Sequence, residues 1–307
     1  MDFSRRTFLA AAAGSVVSSV VRGAAASPAD GFVDAHSHIW TDDVAKYPLV
    51  NNQPVSKLAP RTFTADELLA IARPVGVSRV VLIQHRPYFG VDNRYLVDVI
   101  AAYPGVFSGV ACIDAEQATP EREMQRLKGL GFRGFRIQPG EGGAARWIDS
   151  PGINAMWSAA AREGLAICPL LGAEELGQVD EMCRKYPETT VVVDHFARIG
   201  MTGDFPEKDV QALVGLKRYH RVNVKVSAFY FLGRKKPPYD DLAPLIRRVL
   251  DAFGPDRLMW GSDCPYQLGA GNNYAASLEL IQKGLDFLIA SDREALLRKT
   301  ATRVFFS

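Results

Sequence analysis

Apolar, β-branched runs recur along the chain at a steady cadence, at 31–33, 79–84, 107–113, 134–138, 165–171, 190–194, 222–227 and 257–260. Each is short, and most are bounded by Gly, Pro or charged residues, the pattern of strands buried on both faces. Between them the apolar positions shift to helical spacing, at 64–72, 94–102, 119–130, 154–162, 173–186, 208–219 and 239–253. Two further helical segments, 274–288 and 292–304, follow the last run. Thr64 and Glu67 give the first helix a capping-box start. Eight strands alternating with helices predict an α/β fold, a single-domain (β/α)8 TIM barrel. An open doubly wound sheet would need a Gly-rich phosphate turn after its first strand, and Asp34-Ala35-His36-Ser37-His38 stands there instead.

Composition narrows the class without changing the fold. The 307 residues are 48% hydrophobic and 23% charged, with a net charge of +2. That balance is ordinary for a globular protein, and the charge is too small to argue for nucleic acid as a partner. The first 26 residues differ from the rest: Arg5-Arg6 after Ser4, a weakly apolar run over 7–21, then Ala24-Ala25-Ala26. They resemble a twin-arginine (Tat) signal peptide with cleavage after Ala26. The barrel is therefore expected over 27–307. The chain is expected to use the Tat export machinery, to reside in the periplasm or outside the cell, and to carry no stable membrane anchor. Cys112, Cys168, Cys183 and Cys264 form no C-x-x-C pair and are expected as buried free thiols.

The chemistry collects at the C-terminal ends of the strands, where barrel enzymes place their catalytic groups. The first strand ends in His36 and His38, two residues apart and so on one face. The second ends in Gln84-His85-Arg86, the fourth in Arg136 and Gln138, the sixth in Asp194-His195, the seventh in Lys225 and Ser227, and the eighth in Ser262-Asp263. Four of the five histidines stand at such ends, and His220 is the exception. Long irregular segments at 41–61, 232–239 and 265–273 follow the first, seventh and eighth strands and are candidate lids.

"DAHSH", "DHFAR" and "WGSDCP", at the first, sixth and eighth strands, resemble the amidohydrolase superfamily. More narrowly they resemble its amidohydrolase-2 branch, which includes pyrone-dicarboxylate, sulfomuconolactone and sugar-acid lactonases. "GFRGFRIQ" and "VKVSAFY" extend the resemblance from Phe32 to the C-terminus. It implies a hydrolase, with a metal-dependent decarboxylase or an amide hydrolase as alternatives. Binuclear members bridge two metals through a carboxylated lysine or a glutamate on strand four. Here that strand offers Arg136, and the fifth-strand histidine is replaced by Cys168-Pro169-Leu170, so a two-metal centre is not expected. Either no metal or one divalent ion, zinc by its donor set, is expected on His36, His38, His195 and Asp263.

For lactone opening, Asp263 is the expected general base. His36, His38 and His195 are expected to bind the carbonyl oxygen, directly or through a metal. Asp34 and Asp194 are expected to orient the histidines or shape turns. Arg136, Arg86 and Arg198 are candidates for binding an anionic substrate, because a guanidinium matches a carboxylate with paired hydrogen bonds. Gln84, His85 and Tyr230 are candidates for further substrate contacts.

Overall fold

The computed structural model describes residues 31–139 and 147–307. The expected signal peptide, 1–26, lies outside them. Among the described residues no helix is long and apolar enough to cross a membrane.

Eight parallel strands form one sheet in sequence order: β1 (Phe32–Ser37), β2 (Val77–Ile83), β3 (Phe107–Ala111), β4 (Phe132–Ile137), β5 (Ala166–Pro169), β6 (Thr190–Val193), β7 (Val222–Ser227) and β8 (Leu258–Gly261). The helices outside it are α1 (Ala65–Ala72), α2 (Arg86–Phe89), α3 (Arg94–Ala102), α4 (Pro120–Gly129), α5 (Pro151–Glu163), α6 (Leu176–Lys185), α7 (Glu207–Gly215) and α8 (Ala243–Phe253). The C-terminal stretch adds α9 (Tyr274–Glu279), α10 (Ala290–Glu294) and α11 (Thr300–Phe305), with π-helical turns at Leu280–Gly284 and Ala295–Lys299. Each strand pattern of the sequence became a strand, so the (β/α)8 barrel is the observed fold. The capping box also forms: Thr64 N donates to Glu67 Oε2 at 2.6 Å and Glu67 N to Thr64 Oγ1 at 3.3 Å. The longer helical patterns are interrupted by 3-10 turns at Ala173–Glu175, Leu216–Arg218 and Asp240–Leu242. β1 runs on through polar residues because its neighbours on both sides supply backbone partners there.

The apolar interior is made in two layers. The outer faces of the strands pack against the helices, with Trp40, Trp157, Trp260 and Phe132 among the largest buried side chains. Inside the barrel Val33, Ala35, Val81, Ile83, Val110, Ala166, Cys168, Val192 and Met259 fill the lower half, closed from below by Ala301, Val304 and Phe305 of α11. Such layers make the barrel a packed core rather than a channel. All four cysteines are free and buried, Cys168 within this core. Burial pushes the Cys112 thiol up to about 11 and those of Cys168 and Cys183 to about 12, so none is poised as a nucleophile.

The barrel closes between β1 and β8 through polar groups. His38 N donates to Cys264 O at 2.7 Å and Asp263 N to His36 O at 2.8 Å. Asp34, fully buried, accepts from Ser262 N at 2.8 Å, Ser262 Oγ at 2.6 Å, Tyr274 Oη at 2.8 Å and His36 N at 3.0 Å. One carboxylate thus ties β1, the end of β8 and α9 together. Gly261 is required at this seam, since a Cβ there would lie 2.8 Å from His36 Cβ and 3.0 Å from His36 N.

Candidate active site

The upper half of the barrel is polar and buried. A register irregularity between Asp34 and Ser37 interrupts the alternation of β1, so that His36 joins Val33 and Ala35 in facing the interior. The His36 and His38 rings meet edge to face, with centroids 5.2 Å apart. Below them Arg136 on β4 donates from Nη2 to His36 Nε2 at 2.9 Å and to Asp194 Oδ2 at 2.8 Å. Lys225 on β7 places Nζ 3.0 Å from Asp194 Oδ1 and 3.2 Å from His36 Nδ1. Burial alone would raise the Asp194 carboxyl, but Lys225 and Arg136 outweigh it and hold the group well below the usual carboxylate range.

Asp263 completes the cluster from beyond β8. Its Oδ1 is 3.4 Å from His36 Nε2 and 3.4 Å from His38 Nε2, and its Oδ2 is 3.7 Å from His195 Nε2. Tyr230 Oη donates to Oδ2 at 2.8 Å. Burial again opposes ionisation, yet the surrounding imidazoles hold Asp263 far below its ordinary value. The cluster therefore pairs two fixed cations, Arg136 and Lys225, with two carboxylates, Asp194 and Asp263. Such balance is what permits charge at this depth.

The hydrogen-bond partners constrain the imidazoles. His38 Nδ1 lies 2.9 Å from the Ile83 carbonyl, which only accepts, so Nδ1 carries a proton, while Nε2 faces Asp263 Oδ1 at 3.4 Å. His36 Nε2 receives a hydrogen from Arg136, and its Nδ1 stands between Lys225 Nζ at 3.2 Å and Asp194 Oδ1 at 3.4 Å. His195 Nδ1 lies 2.8 Å from Ser227 Oγ, a hydroxyl able to donate, which leaves Nε2–H directed at Asp263. Burial lowers His195 to about 4 against the pull of Asp263 and Asp194, so the ring is neutral near pH 7.

Local backbone strain marks the same places. His195, Phe196, Ala197 and Arg198 follow one another with φ of 52°, 52°, 52° and 58°, and Ala228 and Asp263 each have φ of 60°. Left-handed non-glycine residues cost about 1–3 kcal/mol each and persist where the surroundings over-determine them. Here they swing the chain back over the barrel directly after β6, β7 and β8.

The other sequence candidates fall in different places. Gln84 is buried and donates from Nε2 to Asp92 O at 2.7 Å, which shapes the loop after β2. His85 is buried, with Nε2 2.6 Å from Tyr266 Oη, and burial lowers it to about 2. Arg86 is exposed at the mouth and donates to Gln138 Oε1 at 3.3 Å. Arg198 is exposed. Arg136 points inward as expected, but it lies beneath the histidines and is spent on His36 and Asp194. Segment 41–61 is pinned beside α2: Gln53 Nε2 donates to Pro87 O at 3.0 Å and Ala59 N to Tyr88 Oη at 3.1 Å. Sequence reasoning missed Tyr266 and the Ser262–Tyr274 clamp on Asp34. Tyr266 carried a usable signal, an aromatic residue just beyond the eighth strand end.

The donor set fits a single divalent ion. Nitrogen or oxygen donors around tetrahedral zinc stand about 3.3 Å apart, close to the spacings here. Ligand atoms of His36, His195 and Asp263 lie within 4.8 Å of one another. An ion on His36 would have to take the Nε2 lone pair that Arg136 now occupies.

A family model described as Amidohydrolase matches residues 33–306. The chain belongs to the amidohydrolase family. This amidohydrolase is 27% identical over 266 residues to L-fucono-1,5-lactonase of Burkholderia ambifaria, covering 86% of this chain and 91% of that protein. It is 27% identical over 248 residues to a 2-pyrone-4,6-dicarboxylate hydrolase of Comamonas testosteroni, covering 77% of each. A crystal structure of an amidohydrolase from Burkholderia multivorans with bound HEPES superposes with a TM-score of 0.75 at 21% identity, over 90% of this chain and 99% of that one. The last comparison bears on the fold alone. The site of this amidohydrolase sits where the fold concentrates chemistry, at the C-terminal mouth of the barrel.

Proposed function

We propose that this amidohydrolase opens the lactone ring of a small, carboxylate-bearing substrate by attack of a water that Asp263 activates. The observation that carries the reading is the Asp263 carboxylate itself: buried, ionised, and held by Tyr230 within reach of three imidazoles. The lactone relatives named above support the substrate class.

A water beside Asp263 donates one hydrogen to the carboxylate, which leaves a lone pair to meet a carbonyl carbon. Asp263 takes the proton as the C–O bond forms. The His195 Nε2–H, with the Arg136 guanidinium behind it, supplies positive potential for the oxyanion. Burial and Lys225 hold His36 well below the ordinary imidazole range, so as a neutral ring it acts on a carbonyl through a cation that it holds. Where a divalent ion, zinc by its donors, is bound, His36, His195 and Asp263 would hold it beside His38, and it would polarise the carbonyl as a Lewis acid. Arg86 and Arg198, exposed on the mouth side, are suited to meet the substrate carboxylate.

The purified protein should open anionic pyrone, muconolactone or aldonolactone substrates in a pH-stat assay. Carbon dioxide release from an aromatic carboxylate without lactone opening would replace this reading with decarboxylation. We expect dialysis against a chelator, followed by metal analysis, to leave turnover within about twofold, because the Arg136 guanidinium already holds the His36 lone pair. A loss of more than about tenfold, restored by zinc, would show an obligatory ion.

We also infer that residues 1–26 direct twin-arginine export, on the strength of Arg5-Arg6 and the small residues before the barrel. Replacing both arginines by lysine should hold the protein in the cytosolic fraction, and unchanged export would overturn the assignment.

A further inference from the structure

Opening a lactone also requires a proton on the departing ring oxygen, and none of the roles assigned above supplies it. One hydroxyl beside the cluster is placed to do so. Tyr266 follows β8 and is 44% exposed at the mouth. Its ring lies 5.9 Å from that of His38 and stacks at 17° on Tyr230, centroids 6.4 Å apart. Tyr230 in turn holds Asp263. Tyr266 Oη is 2.6 Å from Nε2 of His85, a buried ring against Trp40 and Tyr88.

The His85 tautomer determines which way that bond runs. Nδ1 of His85 is buried without a hydrogen-bond partner. An unpaired buried N–H is rarer than an under-satisfied acceptor, so the proton belongs on Nε2 and the lone pair on Nδ1. His85 Nε2–H then donates to the phenol oxygen, which leaves the phenolic hydrogen free to point elsewhere. Burial and the nearby Asp263 push the Tyr266 phenol up to about 12, so it carries that hydrogen at neutral pH.

We propose that Tyr266 is the general acid that protonates the leaving oxygen, and that His85 is the positioning residue that turns its hydroxyl outward and stabilises the phenolate. The proposal rests on the lactonase reading. Water oxygen bonds to the carbonyl carbon while Asp263 takes its proton. The ring C–O bond then breaks, its electron pair passes to the ring oxygen, and that oxygen takes the phenolic proton. The phenolate, held by His85 Nε2–H, regains a proton from solvent as Asp263 returns its own, giving one hydroxy acid from lactone and water.

The test compares two carboxylate-bearing lactones that differ in leaving group, one releasing an alkoxide and one an enolate. Tyr266→Phe should lower kcat/KM about 10²–10³-fold on the alkoxide-releasing lactone and less than about tenfold on the other, because only a poor leaving group needs the proton. His85→Leu should reproduce this selective loss. His85→Gln, which can keep an N–H near the phenol, should recover most of it. Circular dichroism and a thermal melt would show that each variant is folded. Equal losses of Y266F on both lactones, or no loss on either, would overturn the proposal and leave Asp263 to return the proton itself. If the wild-type protein opens neither lactone, the lactonase reading falls first and this inference with it.

Discussion

Asp263→Asn should lower kcat for lactone opening by about 10³-fold while leaving the fold intact. The side chain is buried and makes a hydrogen bond to Tyr230 that an amide oxygen can keep, so its shape and that contact survive. What is lost is the proton acceptor, and positioned general bases contribute about 10²–10⁴-fold. The neighbouring imidazoles also lose the negative charge they face at 3.4–3.7 Å. The measurement is steady-state kinetics beside a thermal melt. Turnover within about threefold of wild type would remove Asp263 from the role of base. A rise in KM alone, with kcat unchanged, would instead mark it as a binding group.

The second large effect falls on stability. Lys225→Met should destabilise the barrel by about 3 kcal/mol, at the lower end of what breaking a buried pair costs. Lys225 and Asp194 are both fully buried and 3.0 Å apart, and Arg136 remains to compensate the carboxylate in the variant. The melting temperature should fall on the order of 6–10 °C. Lys283→Met is the control: that lysine is exposed and 3.9 Å from Glu279, so its loss should move the melt by no more than about 1 °C. Equal shifts in the two variants would show that the Lys225–Asp194 pair carries no special weight. The burial of a lysine is itself informative. Its Nζ lies over the Phe305 ring at 5.5 Å, so an apolar floor and a charged ceiling meet at one side chain.

The barrel was legible in the sequence because strands buried on both faces leave short apolar runs, and helices between them leave a different period. The strand-end histidines were legible for a related reason, since polar residues directly after such a run stand out. Other features left weaker traces. The end of β1 was hidden because His36 and Ser37 are polar yet extended, and only their backbone partners keep them in the strand. The left-handed turn at His195–Arg198 contains no Gly or Asn to announce it. Arg136 looked like a carboxylate binder because its strand end points inward. Which group it meets depends on a residue 100 positions away, a distance that local pattern does not cover. Tyr266 needed the same long-range information, since its partner His85 lies 181 positions earlier.

The seam between β1 and β8 has a kinetic consequence. Ser37 and Cys264, which bond across it, are 227 residues apart in sequence. His36 and His38 arrive on one side of this junction and Asp263 on the other. The reactive cluster is therefore assembled by a loop closure that spans most of the chain, and contacts of that separation form late and slowly. A partly folded barrel would hold imidazoles without a base, or a base without imidazoles. Activity and global folding should appear and vanish together, with heat inactivation tracking the cooperative loss of the whole barrel.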